Sequence, residues 1–135
     1  MDVLYAQLHR WMAEPFVWGE TDCLMSLANY LVAAGYDDPG ADLRGLYSDA
    51  VSCHKLTGFL RDPLAVVKPR FEAVGLVPTD TPKRGDVGLL RIVSEGKQVV
   101  AGGVCTGDNW AVKGEHRLTI GKPLKIIAAW SVDAK

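Results

Sequence analysis

A chain of 135 residues with 48% hydrophobic and 23% charged side chains has the size and balance of one globular domain, able to hide roughly two thirds of the surface its unfolded form exposes. Fifteen basic residues against sixteen acidic ones leave a formal charge of −1, so overall charge offers nothing to a phosphate backbone and no nucleic-acid partner is expected. A mean hydropathy of +0.06, with no apolar run longer than Ile126 to Trp130, excludes a membrane-spanning helix, which needs roughly 18 apolar residues.

In chain order, Leu4, Leu8, Trp11 and Met12 recur at helical spacing and predict an amphipathic helix that ends before Pro15. The same stretch carries Asp2, Gln7, His9 and Arg10 where a secretory signal would hold its apolar core, so the protein is expected to stay in the compartment where it is made. Thr21 or Asp22 can cap a second helix, whose apolar positions Leu24, Leu27, Ala28, Leu31 and Val32 precede the stop at Gly35. Tyr36 to Gly45 reads as a loop, and a short helix after Ser48 is expected to carry Val51 and Leu56. A fourth helix is punctuated by Asp62 as N-cap, Pro63 at its first position and Gly75 at its end, with Leu64, Val67, Phe71 and Val74 on one face. Pro69 inside it should bend or break it.

After Pro82 the texture changes to β-type runs: Val87 to Val93, Gln98 to Cys105, Trp110 to Lys113, Leu118 to Ile120 and Leu124 to Val132. Ser94-Glu95-Gly96-Lys97 and Gly107-Asp108-Asn109 supply turns between them. Helices over about residues 1–78 and strands over about 84–132 imply one α+β domain, with helices packed on one face of a small antiparallel sheet.

The candidate chemistry centres on Phe16-Val17-Trp18-Gly19-Glu20-Thr21-Asp22-Cys23. It puts a cysteine in the first turn of a helix, where unpaired N–H groups and the helix dipole favour a thiolate; Asp22, if charged and exposed, opposes that effect. The alternative reading is a small buried cysteine at a helix start, the common fate of a free thiol. Cys23, Cys53 and Cys105 are odd in number and lack Cys-x-x-Cys spacing, which fits neither a disulfide framework nor a structural zinc site. No metal or cofactor is expected.

Trp18-Gly-x-x-Asp22-Cys23 resembles the aromatic-Gly-x-x-Asp-Cys segment of NlpC-type cysteine peptidases of bacterial cell walls. Arg84-Gly85-Asp86-Val87-Gly88-Leu89-Leu90 is similar to that family's Gly-Asp-leading strand, and Ala101-Gly102-Gly103-Val104-Cys105-Thr106-Gly107 to the strand after it, His-Val-Gly-Ile-Tyr-x-Gly. The resemblance runs from residue 15 to about residue 120. It implies a papain-like fold, Cys23 as nucleophile or its vestige, and peptidoglycan stem peptides as substrates. It also shows a departure: the family's general base opens the second strand as His, and this chain has Ala101 there. Alanine can neither take a proton from a thiol nor return one to a leaving amine. The third, orienting position falls near Lys113, a residue type unusual at that place.

Of the three histidines, His9 is expected on a solvent-facing helix position and His54 in a surface or structural role, which leaves His116 as the one candidate for a displaced base. It lies in a turn beside Glu115, and neighbours on a strand point to opposite faces. Trp18, Asp22, Gly103 and Trp110 are the candidate binding residues of a cleft near Cys23, although large aromatics such as Trp18, Trp110 and Trp130 also serve as core in a domain this small. Gly102-Gly103 marks close backbone approach or a bulge, and Cys105 a small core residue.

Two functions from different classes follow. The resemblance is closest to short proteins encoded among the tail genes of bacteriophages and prophages. It implies a structural component of a tail tip or baseplate hub, made in the bacterial cytoplasm, carried in the virion tail and partnered by hub or tip proteins. The alternative is an active peptidase or amidase with Cys23 as nucleophile and His116 as base, cutting peptidoglycan stem peptides. A thiol or metal-binding protein would need a second Cys or His beside Cys23, which the spacing does not predict.

Overall fold

The structure, a computed structural model, describes residues 2–133. Four helices come first: α1 Val3–Ala13, α2 Cys23–Ala33, α3 Ala50–Thr57 and α4 Pro63–Ala73. Six strands follow: β1 Val77–Pro78, β2 Val87–Ser94, β3 Lys97–Cys105, β4 Trp110–Lys113, β5 Leu118–Gly121 and β6 Lys125–Ser131. All pairings are antiparallel in a single sheet ordered β1-β6-β2-β3-β4-β5. The expected α+β class, with helices before strands, is therefore what the chain adopts.

Each helix starts on a carboxylate that accepts from its free N–H groups: Asp2 from Tyr5, Asp22 from Leu24 and Met25, Asp49 from Ser52, and Asp62 from Ala65. Gly35 and Gly75, with φ of +101° and +100°, take up the left-handed turn just past α2 and α4. Helix α1 buries Leu4, Gln7 and Trp11 and leaves Met12 exposed, and Val32 of α2 is likewise exposed.

Helix α3 carries Val51 and Leu56 as expected, but both face outward at 63% and 47% exposure, and the residue it buries is Cys53, which packs with Met25, Ala28 and Tyr47. An eight-residue helix touches the core along too narrow a stripe for both apolar positions to reach it. Pro69 does not break α4, which runs unbroken through it for 11 residues. The missing N–H forfeits one bond near the C-terminal end, while Val67 and Phe71 are buried and Arg70 is tied to Asp42 and to the Pro39 carbonyl.

The strands match their predicted positions to within about two residues, and the Glu95-Gly96 turn joins Ser94 to Lys97 with both central residues at positive φ, 52° and 77°. Strand β1 was not foreseen; its two residues pair with Ser131 and Trp130.

One face of the sheet, carrying Val87, Leu89, Val104, Ala111 and Trp130, joins Leu4, Trp11, Leu27, Leu31 and Phe71 in the main core. The other face carries Leu90, Ala101, Cys105, Trp110, Val112 and Ala129 as a smaller cluster. The Gly85-Asp86 segment locks three strands together. Asp86, 1% exposed, accepts from the N–H groups of Lys83 and Val132 and from Cys105 through its carbonyl. Gly85 at φ +98° accepts from the Tyr30 hydroxyl and donates to the Cys105 carbonyl.

Candidate functional site

Cys23 is the first residue of α2, and Asp22 is the residue that sets its position. The Asp22 side chain is buried, with 3% exposure. Its Oδ1 accepts from the N–H groups of Leu24 and Met25 at 3.1 and 3.0 Å, and its Oδ2 from the Gly19 N–H at 2.8 Å and the Tyr47 hydroxyl at 2.7 Å. One carboxylate thus caps the helix, closes the Trp18-Gly19 turn and holds Tyr47 of the following loop. Gly19 is required there: its φ is +82°, and a Cβ would lie 2.7 Å from the Tyr47 carbonyl oxygen. The Tyr47 hydroxyl is pushed up in pKa, first by burial and then by the charge of Asp22.

Cys23 packs against the smaller cluster, near the place where β3 and β4 part. Their pairing covers only Val104–Ala111 and Cys105–Trp110; the same register would set Gly102 opposite Lys113, but no pair forms there. The alternation of the ladder turns the Gly102 N–H toward that gap, where it favours a charged Cys23 thiol. The strand can lie this close to α2 because position 102 has no side chain, since a Cβ would fall 2.6 Å from Leu27 Cδ1 and 3.0 Å from Leu24 Cδ2.

Cys23 is half-buried, and desolvation first, with the Asp22 carboxylate second, pushes its thiol up to about 12. The Gly102 and Leu24 N–H groups pull the other way and are outweighed. The helix start favours a thiolate, while desolvation and the neighbouring Asp22 charge act against it. Ala101, in the strand position expected for a base, is 6% exposed and belongs to the same apolar cluster against which Cys23 packs.

The histidines are elsewhere. The His9 ring meets Tyr5 edge-on at 4.4 Å, and His54 Nδ1 accepts from the Leu60 N–H at 3.2 Å. His116 is exposed in the β4–β5 turn, with Nε2 3.6 Å from Glu95 Oε1 and 3.9 Å from Glu115 Oε2. Glu95 sits in the β2–β3 turn, and from there to Gly102 the strand runs about 20 Å at the usual rise per residue, far beyond hydrogen-bond reach of the thiol. Glu115 and His116 do meet, contrary to the expectation for strand neighbours, because a turn lets both side chains converge.

Lys113 does not face the thiol as a third catalytic position would. It is 4% exposed, and its ammonium donates to the Trp11 and Glu14 carbonyls at the end of α1, where the free carbonyls and the negative end of the dipole favour a cation. Burial lowers its pKa.

The candidate binding residues divide. Trp18 is half-buried, edge-on to Phe16 at 5.0 Å and packed beside Tyr47 and Cys53. Trp110 is core: it is 5% exposed and covers Gly88, where a Cβ would meet its ring at 3.0 Å. Gly103 is enclosed by Leu90, Val112 and the Ala111 carbonyl. Cys105 is a core residue, as expected, and Trp130 is too, its indole N–H bonded to Glu72. Sequence reasoning missed Tyr47, whose pairing with Asp22 spans 25 positions and leaves no local signal.

A groove of about 730 Å³ lies between α3, α4 and the preceding loop, lined by Asp38, Leu56, Arg61, Val66, Arg70 and Val74. Among the described residues no three His, Cys, Asp or Glu side chains gather as a metal ion would require, and no helix is long and apolar enough to cross a membrane.

No curated protein and no solved structure matches the chain. A family profile for a domain of unknown function, DUF6950, covers residues 2–132, and the chain belongs to that family.

Proposed function

We propose that this domain is an NlpC-type papain-like fold used as a structural component of a bacteriophage or prophage tail tip or baseplate hub, without peptidase turnover. The observation that carries the non-catalytic half is the surroundings of Cys23. Its thiol is half-buried beside the Asp22 carboxylate, both of which favour the protonated form, and it packs against the cluster that contains Ala101. Amide hydrolysis by a cysteine needs a base to form the thiolate and an acid to protonate the leaving amine. Among the described residues no imidazole stands at the thiol, and the Asp22 carboxylate is taken up by four donors. The residues that resemble the peptidase motifs have architectural work instead: Asp22 organises the entry to α2, Gly102 admits the strand, and Gly85-Asp86 joins β2, β3 and β6.

The tail setting rests on the motif resemblance, and the experiment must test it directly. Tagged protein, expressed with the tail hub and tip proteins encoded beside it, is expected to co-purify with one of them and to be found in purified particles by mass spectrometry. Particles that lack it, or peptidoglycan cleavage lost on Cys23→Ala, would overturn the proposal.

A further inference from the structure

The two edges of the sheet are finished differently. Strand β1 has two residues, one of them Pro78, and the N–H of the next residue, Thr79, is bonded to the Ala129 carbonyl; this edge is guarded. Strand β5 closes the opposite side as Leu-Thr-Ile-Gly, with no proline, no charge within the strand and no irregularity in its register with β4. The hairpin determines which of its main-chain groups are free. Gly114 N–H donates to the Arg117 carbonyl at 3.0 Å, so alternation makes Val112–Thr119 and Trp110–Gly121 the hydrogen-bonded pairs of the ladder. The N–H and C=O groups of Leu118 and Ile120 consequently point outward, and the Ile120 residue is 54% exposed.

Charge selects the strand that can pair there. Residues 117–125 read Arg-Leu-Thr-Ile-Gly-Lys-Pro-Leu-Lys, with three cations and no acid. Lys122 Nζ donates to the Asp108 carbonyl, and among the described residues no ion pair engages Arg117, Lys122 or Lys125. A second copy would set this cationic segment against its own image. Thr119 borders a trough of about 510 Å³ that takes in Ile92 and Val112 and also Glu95 and Glu115, so a strand added here finds apolar surface for alternate side chains, and Arg117, Lys122 and Lys125 outnumber the two carboxylates beside it.

We infer that the β5 edge is a strand-addition site for an extended segment of another protein, with carboxylates flanking alternating apolar residues. The inference names a docking surface for the assembly reading and rests on it only for the existence of a protein partner. The test titrates two peptides, Glu-Val-Thr-Val-Thr-Val-Glu and its counterpart with Lys for both Glu, into the full chain, and follows hydrogen exchange at Leu118 and Ile120. The Glu peptide is expected to slow exchange at both amides by about tenfold or more, and the Lys peptide to leave them unchanged. Ile120→Pro removes one outward donor and is expected to abolish the effect at Leu118. Arg117→Glu with Lys122→Glu, which leaves the strand itself intact, is expected to reverse the peptide preference. Equal protection by both peptides, none at millimolar concentration, protection at Val77 instead, or a dimer that protects the two amides without peptide would each overturn the inference. Failure here leaves the Cys23 argument untouched, whereas absence from tail particles would remove the assembly reading and leave the edge result standing.

Discussion

Within β3 the two halves of one strand meet opposite surroundings. Ala101 to Cys105 is buried, while Lys97 to Val99 stands in water beside the turn where Glu95 meets His116. Every residue of the strand that resembles the peptidase pattern belongs to the buried half, pressed against α2, β2 and β4. The imidazole that could have supplied a base belongs to the exposed end. A nucleophile and its base must share one few-ångström space, and here the strand itself holds them apart. Spacing along a sequence can suggest a dyad; only the path of the ribbon decides whether its members meet.

The comparison breaks most severely at Asp22. Asp22→Ala strands two helix N–H groups, the Gly19 N–H and the Tyr47 hydroxyl, and is expected to cost roughly 3–5 kcal/mol in chemical unfolding. A cost under about 1 kcal/mol would mean that the buried end is not held by this carboxylate.

Alkali attacks the same region. Tyr30 is pushed up to about 12, first by burial and then by the charge of Asp86, and the Cys23 thiol rises to a similar value. Both groups ionise more readily in the unfolded chain, so stability is intact below pH 9 and falls as pH rises from 9 toward 12. Tyr30 alone accounts for roughly 2–3 kcal/mol of that fall. A stability curve flat to pH 12 would contradict both placements.

Gly103→Val sharpens the contrast between the halves. Its side chain would meet Leu90 Cδ1 at 2.7 Å and the Ala111 carbonyl at 3.0 Å, and a loss of about 1–3 kcal/mol is expected by thermal melting. The smallest effects belong to the exposed end. His116→Ala and Val99→Thr are each expected to change stability by less than about 0.5 kcal/mol; a larger loss would show that the far end of the ribbon is braced after all.

Much of this architecture was legible before any coordinates, because it rests on local rules. Asp22 and Asp62 stand where N-caps belong, Gly35 and Gly75 where helices stop, and the strands alternate with turn residues that need positive φ. What escaped depends on partners distant in sequence. Val77-Pro78 becomes a strand only because Ser131 and Trp130 come alongside. Cys53 is buried rather than Val51 because of where α3 lies on α2. Lys113 is enclosed by the end of an α1 about 100 positions away, so its type made no sense within its own strand. Cys23 was found, and so was the helix N-terminus that should activate it. The desolvation that overrides the dipole is a property of the packed fold and has no motif.

The most direct test is the rate of Cys23 alkylation by iodoacetamide from pH 6 to 11, read by mass spectrometry of the peptide that contains it. The account predicts about a thousandfold less thiolate at pH 8 than an ordinary cysteine carries, and hence a slow rate that is still rising at pH 11. A rate that levels off with a midpoint below pH 8 would reveal an activated nucleophile and contradict the non-catalytic reading.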